Sequence, residues 1–573
     1  MKVLFAALHL AHFRNFDSVV RELAARGHQV HLTAEEPESL GGQALVDQLA
    51  AEHPGVTWDL LPSLDDEPWF DAARRMRVSL DYVRALEPRY PDKLRIRAEA
   101  RTARIVRWAS RTPLIGRPAT LAALTAFERM MPASDRMVEY LRKQSPDVVV
   151  LTALTFSRSQ QIDVLKAART LNLPVAAAIL SWDHLSSKAL VHIFPDMVLV
   201  WNDVQKQEAV EMHGLPADRV VSTGAQCYDQ WFTRTPERSR EAFCRAVGLR
   251  PDRPFALWVH SALSPTPDPP EPTLVVRWIE ALRSHPDPQL RDLGVLVRPH
   301  PERVKEWKGI RLDRFENVAF HGANPIDPAS RDDYFDSLYY SSAVIGLVTS
   351  AFLEAAIVGR PVMTFTLPEY RMHQEEMIHF QYLTSVSGGV LRMAADLDAH
   401  FQQLAEVVAS PGSRDERNRR FLSAFVRPGG LDAPATPVFV DALERLFREG
   451  GRPDPSLRGS AWLRPAVTSA AAWSRVGLGR WLMNDKRADE WDERDVYTQR
   501  SIAERQKAKD VFQRAKIRRK AWRRRRDDAM RIGKAAKSLM RKARHRTAVT
   551  VYRALYITRL YRGQLPGGGT GHD

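Results

Sequence analysis

The sequence predicts an α/β protein built from two successive parallel-sheet domains, followed by a basic helical extension. Three observations carry this. Short apolar runs alternate with amphipathic segments from residue 1 to about 224, the pattern of strands that need a crossover helix to pair in parallel. A second series of the same kind begins at Phe255, after a connector bearing Pro and Arg. Within that series, Ala343–Leu347 reads as a buried strand, Thr349–Ser350 as helix caps, Ala351–Val358 as a helix, and Gly359 with Pro361 as its stop.

In the first series, Lys2–Leu8 is an apolar strand, His9–Phe13 a turn, and Asn15–Arg26 an amphipathic helix with Phe16, Val19, Val20 and Leu23 on one side. Gly27 caps that helix and Gln29–Thr33 is the next strand. The first loop, Leu8-His-Leu-Ala-His-Phe-Arg14, lacks the glycines of a dinucleotide fingerprint, which argues against a nicotinamide-linked dehydrogenase. Residues 66–145 read as an Arg-rich helical insertion; its 101–127 portion mixes Arg with Ile, Val, Trp and Leu, compatible with a packed helical pair or with contact to a membrane or an acceptor. Asp147–Thr152, Val175–Ile179, Asp196–Trp201 and Val220–Thr223 are strands, with helices at Ser157–Leu171 and Val204–His213.

In the second series, Phe255–Val259, Leu293–Val297 and Asn317–Phe320 are strands, and Leu274–Ser284 and Asp332–Ser341 are helices. Met393–Val408 and Asp415–Phe425 read as closing helices. The expected division is 1–232, 233–450 and a basic helical tail over 451–573, with substrates in the cleft between the first two parts.

Composition narrows the class. A chain of 573 residues with 44% hydrophobic and 27% charged content is globular. Two cysteines, Cys227 and Cys244, supply neither a disulfide framework nor metal spacing, which fits a reducing, cytosolic setting. Met1–Leu8 is too short an apolar run for a signal peptide, and no window of about 18 apolar residues marks a spanning helix. The net charge of +15 is local: residues 500–546 hold 20 Lys/Arg against four acids, so the remainder is near −1. Three readings of that tail stand: phosphates of nucleic acid, an anionic membrane surface, or a solvated or partner-binding helix. Its aromatic residues are sparse for base stacking, which disfavours nucleic acid. Arg523–Arg526 among Ile517, Trp522, Met530 and Ile532 suits an interfacial helix, so a peripheral location on the inner face of the cell membrane is the alternative to a purely cytoplasmic one.

Several residues fall where strands end and ligands bind. Ser350, at a helix start, is placed to meet a phosphate, and Glu354, one turn deeper, a ribose hydroxyl. Arg298-Pro-His300-Pro closes a strand, with Arg298 suited to clamp a phosphate and His300 to donate to one. In the first domain His12 is the candidate general base towards an acceptor hydroxyl, with His9 competing. Asp183, His184 and Lys188, in the loop Ser181-Trp-Asp-His-Leu-Ser-Ser-Lys188, are candidates to orient that base or hold acceptor or donor phosphate; an ordinary Asp-initiated turn is equally compatible. No Asp-x-Asp pair sits at a strand end, so no metal site is expected.

Together, the two αβ halves, the Arg298-Pro-His-Pro301 strand end and Ser350-x-x-x-Glu354-Ala-x-x-x-Gly359-x-Pro361 resemble glycosyltransferases of the GT-B fold. The related nucleotide-sugar epimerase and glycerophosphotransferase branches are similar too. The loop at 181–188, with Val200-Trp-Asn-Asp and Val221-Ser-Thr-Gly-Ala, resembles bacterial members of that group; the likeness covers about 1–445. It implies two Rossmann-like domains facing across a cleft, and a nucleotide-activated sugar held by His300, Thr349, Ser350 and Glu354. It further implies a hydroxyl acceptor in the first domain, possibilities in cell-envelope or surface-polysaccharide synthesis, and no tightly bound cofactor. The first loop departs from the glycine-rich pattern of many members, which leaves the base open. A non-hydrolysing epimerase ranks second, because the segment Pro368-Glu-Tyr-Arg-Met-His-Gln-Glu only loosely echoes that branch. A catalytically idle scaffold acting through its tail is the third reading.

Overall fold

A computed structural model of the chain describes residues 1–482 except 37–40, 68, 91, 100–101, 114, 158, 264–266, 268, 411–415, 453–463, 474–475, 477 and 480–481. The basic run at 500–546 therefore lies outside the described residues.

Seven strands form the first sheet: β1 (Lys2–His9), β2 (Gln29–Glu36), β3 (Val56–Leu60), β4 (Val148–Leu151), β5 (Val175–Ala178), β6 (Met197–Val200) and β7 (Val220–Ser222). Their order is β3-β2-β1-β4-β5-β6-β7, and every pairing is parallel. Six form the second: β8 (Phe255–Val259), β9 (Gly294–Arg298), β10 (Val318–Phe320), β11 (Ala343–Ile345), β12 (Val362–Phe365) and β13 (Leu391–Ala394). They run β10-β9-β8-β11-β12-β13, again all parallel. The strands are nearly all apolar because both faces of a parallel sheet are covered. In β1, Leu4 and Ala6 enter one core while Val3, Phe5 and Ala7 enter the opposite one. In β8, Phe255 and Leu257 face one core, Ala256 and Trp258 the other.

The α/β class and the two Rossmann-like sheets are those expected. Two strands are additional. β3 pairs with β2 at the edge, where a mixed sequence (Val-Thr-Trp-Asp-Leu) is compatible with partial exposure. β13 corrects the helix expected over Met393–Val408: Leu391–Ala394 pairs with β12, and the helix is Leu397–Ala409, capped by Asp396. Hydrophobic spacing had hidden the switch from period 2 to period 3.6 at Asp396.

Order reverses direction twice, between β1 and β4 and between β8 and β11. These are the topological switch points where loops at the carboxyl ends diverge and open a crevice. The insertion consists of the helices Phe70–Arg84, Asp92–Glu99, Arg104–Arg111, Gly116–Met130 and Asp135–Gln144. It is pinned to the first sheet by a buried charge cluster: Arg77 is bidentate to Glu128 (3.0 and 3.1 Å) and to Asp163 (2.9 and 2.9 Å), with Lys166 2.7 Å from Glu128.

The chain finally crosses back. Phe439, Val440, Leu443 and Leu446 of the helix Ala435–Glu449 lie in the same core as Val3, Phe5 and Val148, so the end of the 233–450 span packs on the first sheet. Asp229 anchors this return. Its carboxylate accepts from Arg427 (2.7 Å), the Ala435 and Thr436 amides (3.0 and 2.7 Å) and the Thr436 hydroxyl (2.6 Å). Gly224 is pressed against this junction: an added Cβ would lie 2.6 Å from that of Ala435.

Candidate functional site

Both switch points carry polar residues, and a direct contact joins their loops: the Trp182 indole N–H donates to Ser350 Oγ at 3.1 Å. Trp182 follows β5 and Ser350 follows β11, so strand-end loops from both sheets meet here.

In the second sheet, β8 and β11 run unusually close where β11 ends. A Cβ on Gly346 would sit 2.8 Å from the Val259 carbonyl, so no larger residue fits. Beyond it, the Val348 amide donates to Ser261 Oγ (3.1 Å). Thr349 and Ser350 were both expected to cap the helix Ala351–Ile357; only Thr349 does, accepting from the Ala351 amide at 3.3 Å. The Phe352 and Leu353 amides bond back to the Thr349 and Ser350 carbonyls. The first-turn amides are thus internally satisfied, and the Thr349 and Ser350 N–H groups have no acceptor among the described residues. Ser350 itself is exposed and holds Trp182.

Glu354 is half-buried and accepts from the Tyr334 hydroxyl. Burial raises its carboxyl to about 7, against the opposing pull of the Tyr334 bond and the positive charge of Arg14.

Arg298 departs from its expected role. Its side chain is buried, donates to Asp333 at 2.7 Å, and stacks over the Tyr334 ring at 5.1 Å. Gly322, with φ +125°, leaves the space the guanidinium occupies. Asp333 also takes Arg238 (2.8 Å) and His321 (3.1 Å), and although burial opposes ionisation, these partners hold its carboxyl well below the usual range. Asp333 thus holds the guanidinium through Nη1, while Nη2 is buried without a hydrogen-bond partner among the described residues. His300 caps the 3-10 helix Pro301–Trp307, accepting from the Glu302 amide at 3.3 Å, and burial lowers its pKa so that the ring is neutral.

In the first sheet, loops after β1, β4 and β5 assemble around Phe156. The His12 ring lies 5.9 Å from it, the His184 ring 5.0 Å edge-on, and Lys188 Nζ 5.5 Å above it; His9 lies 5.3 Å from His12. Nδ1 of His12 and Nδ1 of His184 are buried without a hydrogen-bond partner. Burial, then the neighbouring His9, His184, Arg14 and Lys188, lowers His12 to about 3. Burial lowers His184 to about 4, with Asp183 opposing. Both imidazoles are neutral at physiological pH, and in the absence of a bound anion their burial disfavours the protonated form.

Asp183 uses both oxygens within its own loop, accepting from Ser181 Oγ (2.7 Å) and Ser187 Oγ (3.0 Å). Burial pushes its carboxyl up, but the neighbouring His184 and His379 rings, Lys188 and the Ser181 bond outweigh this and hold it well below the usual range. It shapes the loop and lends a fixed negative charge, with one loop hydroxyl donating to each of its oxygens.

Sequence reasoning missed Arg14, Phe156, Trp182 and Tyr334. Arg14 matters most. It is exposed at the end of the β1 loop, has no ion-pair partner among the described residues, and its charge acts on His12 in its own domain and on His300, Tyr334 and Glu354 in the second. Its place at the carboxyl end of the first strand was the available signal. Among the described residues no cluster of three or more His, Cys, Asp or Glu is arranged for a metal, and no helix is long and apolar enough to cross a membrane.

No protein-family model matches this chain, and no curated protein matches it. Among solved structures, it is similar to a glycosyltransferase from Rickettsia africae (10% identity, TM-score 0.46, covering 78% of this chain and 99% of that one). It is similar to the UDP-GlcNAc 2-epimerase of Neisseria meningitidis bound to UDP-GlcNAc (12%, TM-score 0.44, 78% and 100%). It is also similar to CalG4, the calicheamicin glycosyltransferase (16%, TM-score 0.40, 78% and 98%). This chain has two all-parallel Rossmann-like sheets, with the helix Ala435–Glu449 returning to the first.

Proposed function

We propose that the protein is a glycosyltransferase that moves a sugar from a nucleotide-activated donor to a hydroxyl acceptor between the two switch points. The observation that carries this is the Trp182 indole N–H donating to Ser350 Oγ at 3.1 Å, which brings the strand-end loops of the two sheets together, with the exposed Arg14 on the first sheet's own loop. A donor diphosphate in this position meets Arg14 and the Thr349 and Ser350 amides, which neutralise the charge that grows on the leaving phosphate as the glycosidic bond breaks. Glu354 accepts from ribose hydroxyls, exchanging its Tyr334 partner for them. Across the cleft, neutral His12 takes the proton from the attacking hydroxyl, with His184 as its neighbour, Lys188 supplies positive charge, and Phe156 walls the acceptor side. Arg298 and His300 brace the donor side. The acceptor is proposed to be an envelope or surface-polysaccharide precursor, and the chain to act in the cytoplasm.

The test is a thermal-shift screen with UDP, GDP, CDP and TDP on wild type, Arg14→Ala and Glu354→Ala. One nucleotide at about 100 times its Kd is expected to stabilise the wild type by about 2.7 kcal/mol, and both variants are expected to lose most of that shift. If no nucleotide shifts the wild type, the donor site is wrong. Turnover of a nucleotide sugar to its epimer with no acceptor present would instead make the enzyme an epimerase.

A further inference from the structure

The helical insertion presents an apolar face that the cleft does not use. In the helix Arg104–Arg111, Val106 and Ser110 are buried while Ile105 (42% exposed) and Trp108 (63%) point outward one turn apart. Ile115 (42%) stands just before the next helix, Gly116–Met130, whose outer side continues through the exposed Ala122 and Ala126 to Met130 (46%). Spacings of three and four residues put Ile105 with Trp108, and Ala122 with Ala126 and Met130, on single helix faces. The two helices pack against each other, so these faces belong to one surface element.

Charge on this element is one-sided. Residues 92–130 hold nine Lys/Arg against three acids, and two of those acids, Glu99 and Glu128, are buried, with Glu128 already bound to Arg77 and Lys166. Arg104 and Arg129 are exposed beside the apolar face, and Arg129 has no ion pair among the described residues. Arg111 and Arg117, paired with Glu99 and Glu87, complete the rim. A Trp with an apolar body and a polar N–H, an Ile beside it and a surround of guanidinium groups matches the boundary between acyl chains and anionic headgroups. Arginine stems add apolar length below heads that reach phosphate.

We infer that the outer face of the helices Arg104–Arg111 and Gly116–Met130 docks on an anionic phospholipid surface, inserting Trp108 and Ile105 below the headgroups. This site is separate from the nucleotide cleft and does not rest on the donor assignment. It would hold the enzyme peripherally at a membrane, whatever the 500–546 segment does.

Flotation of the full-length chain tests it, using vesicles of equimolar phosphatidylcholine and phosphatidylglycerol against pure phosphatidylcholine. The wild type is expected to float with the mixed vesicles, less so in high salt. Ile105→Glu/Trp108→Glu, which alters exposed positions only, is expected to partition about tenfold or more weakly while keeping the wild-type melting temperature and nucleotide response. Quenching by brominated lipid gives a second measurement: Trp108→Phe should lose a quenched component present in the wild type. Equal flotation of wild type and the double variant, no flotation of the wild type, or a lipid-free dimer abolished by the double variant would each overturn the proposal. If the double variant does not fold, unchanged quenching in Trp108→Phe overturns it.

Discussion

The strand-end loops of the second sheet are governed by how individual groups are paired. Arg298 and Arg14 are both guanidinium groups on strand-end segments, yet Asp333 pairs with the first while the second is exposed without an ion pair among the described residues. The difference rests on a partner 35 residues away on a separate element, which spacing cannot reveal. Glu354 was legible as a candidate one turn into a helix after a strand end; its raised pKa was not, because burial by Tyr334 and its surroundings is a tertiary effect. That shift has a signed consequence. With a folded pKa of about 7 against an ordinary 4.5, the stability linked to its proton is complete below about 4.5 and is lost as pH rises through 7. Glu35 and Glu271, raised by burial to about 8 and about 7, act in the same direction and remain as background in any Glu354 variant. Glu354→Gln is therefore expected to gain stability relative to wild type as pH increases from about 5 to about 8, read as a rising difference in urea midpoints. A constant difference across that range would mean Glu354 is ionised throughout.

Among the elements, the insertion was legible as helices but not in its attachment. Arg77, Glu128, Asp163 and Lys166 lie on three separate helices and look like ordinary surface charges in sequence. In the fold all four are at most 3% exposed and mutually paired. Removing one partner leaves buried charge uncompensated, so Arg77→Leu is expected to cost about 3–5 kcal/mol of unfolding free energy, measured by chemical denaturation. A loss below 1 kcal/mol would show that the insertion is held chiefly by its apolar contacts, such as Leu80, Val83 and Leu124. The strand β13 teaches a related lesson: four residues between a glycine pair and an Asp cap carry too little periodicity to separate strand from helix, and pairing with β12 decides.

For the whole molecule, two sheets are joined by few but well-defined ties: Trp182 to Ser350, Tyr382 to Glu208 (2.8 Å), Asn202 to the Phe425 carbonyl (2.7 Å), and the Asp229 junction. Asp229 accepts from a guanidinium, two amides and a hydroxyl in a buried setting, so Asp229→Asn loses charge-assisted bonds and turns an acceptor oxygen into a donor facing donors. About 2–5 kcal/mol of destabilisation is expected, with hydrogen exchange speeding up first in the helix Ala435–Glu449 if the crossover loosens locally. Unchanged exchange there would mean Phe439 and Leu443 hold the helix unaided.

By itself the sequence determined the α/β class, the two series of parallel strands, the helical insertion and the strand ends that carry His12, Asp183, His300, Ser350 and Glu354. Those follow from local periodicity and from the few residue types that stop strands and start helices. Only the tertiary structure decided which of these residues present open atoms. It tied Arg298 Nη1 to Asp333 and Asp183 to Ser181 and Ser187, joined Trp182 to Ser350, and returned the helix Ala435–Glu449 to the first sheet. A hydrogen bond or an ion pair depends on distances between segments far apart in the chain, and the pattern within any one segment does not contain them.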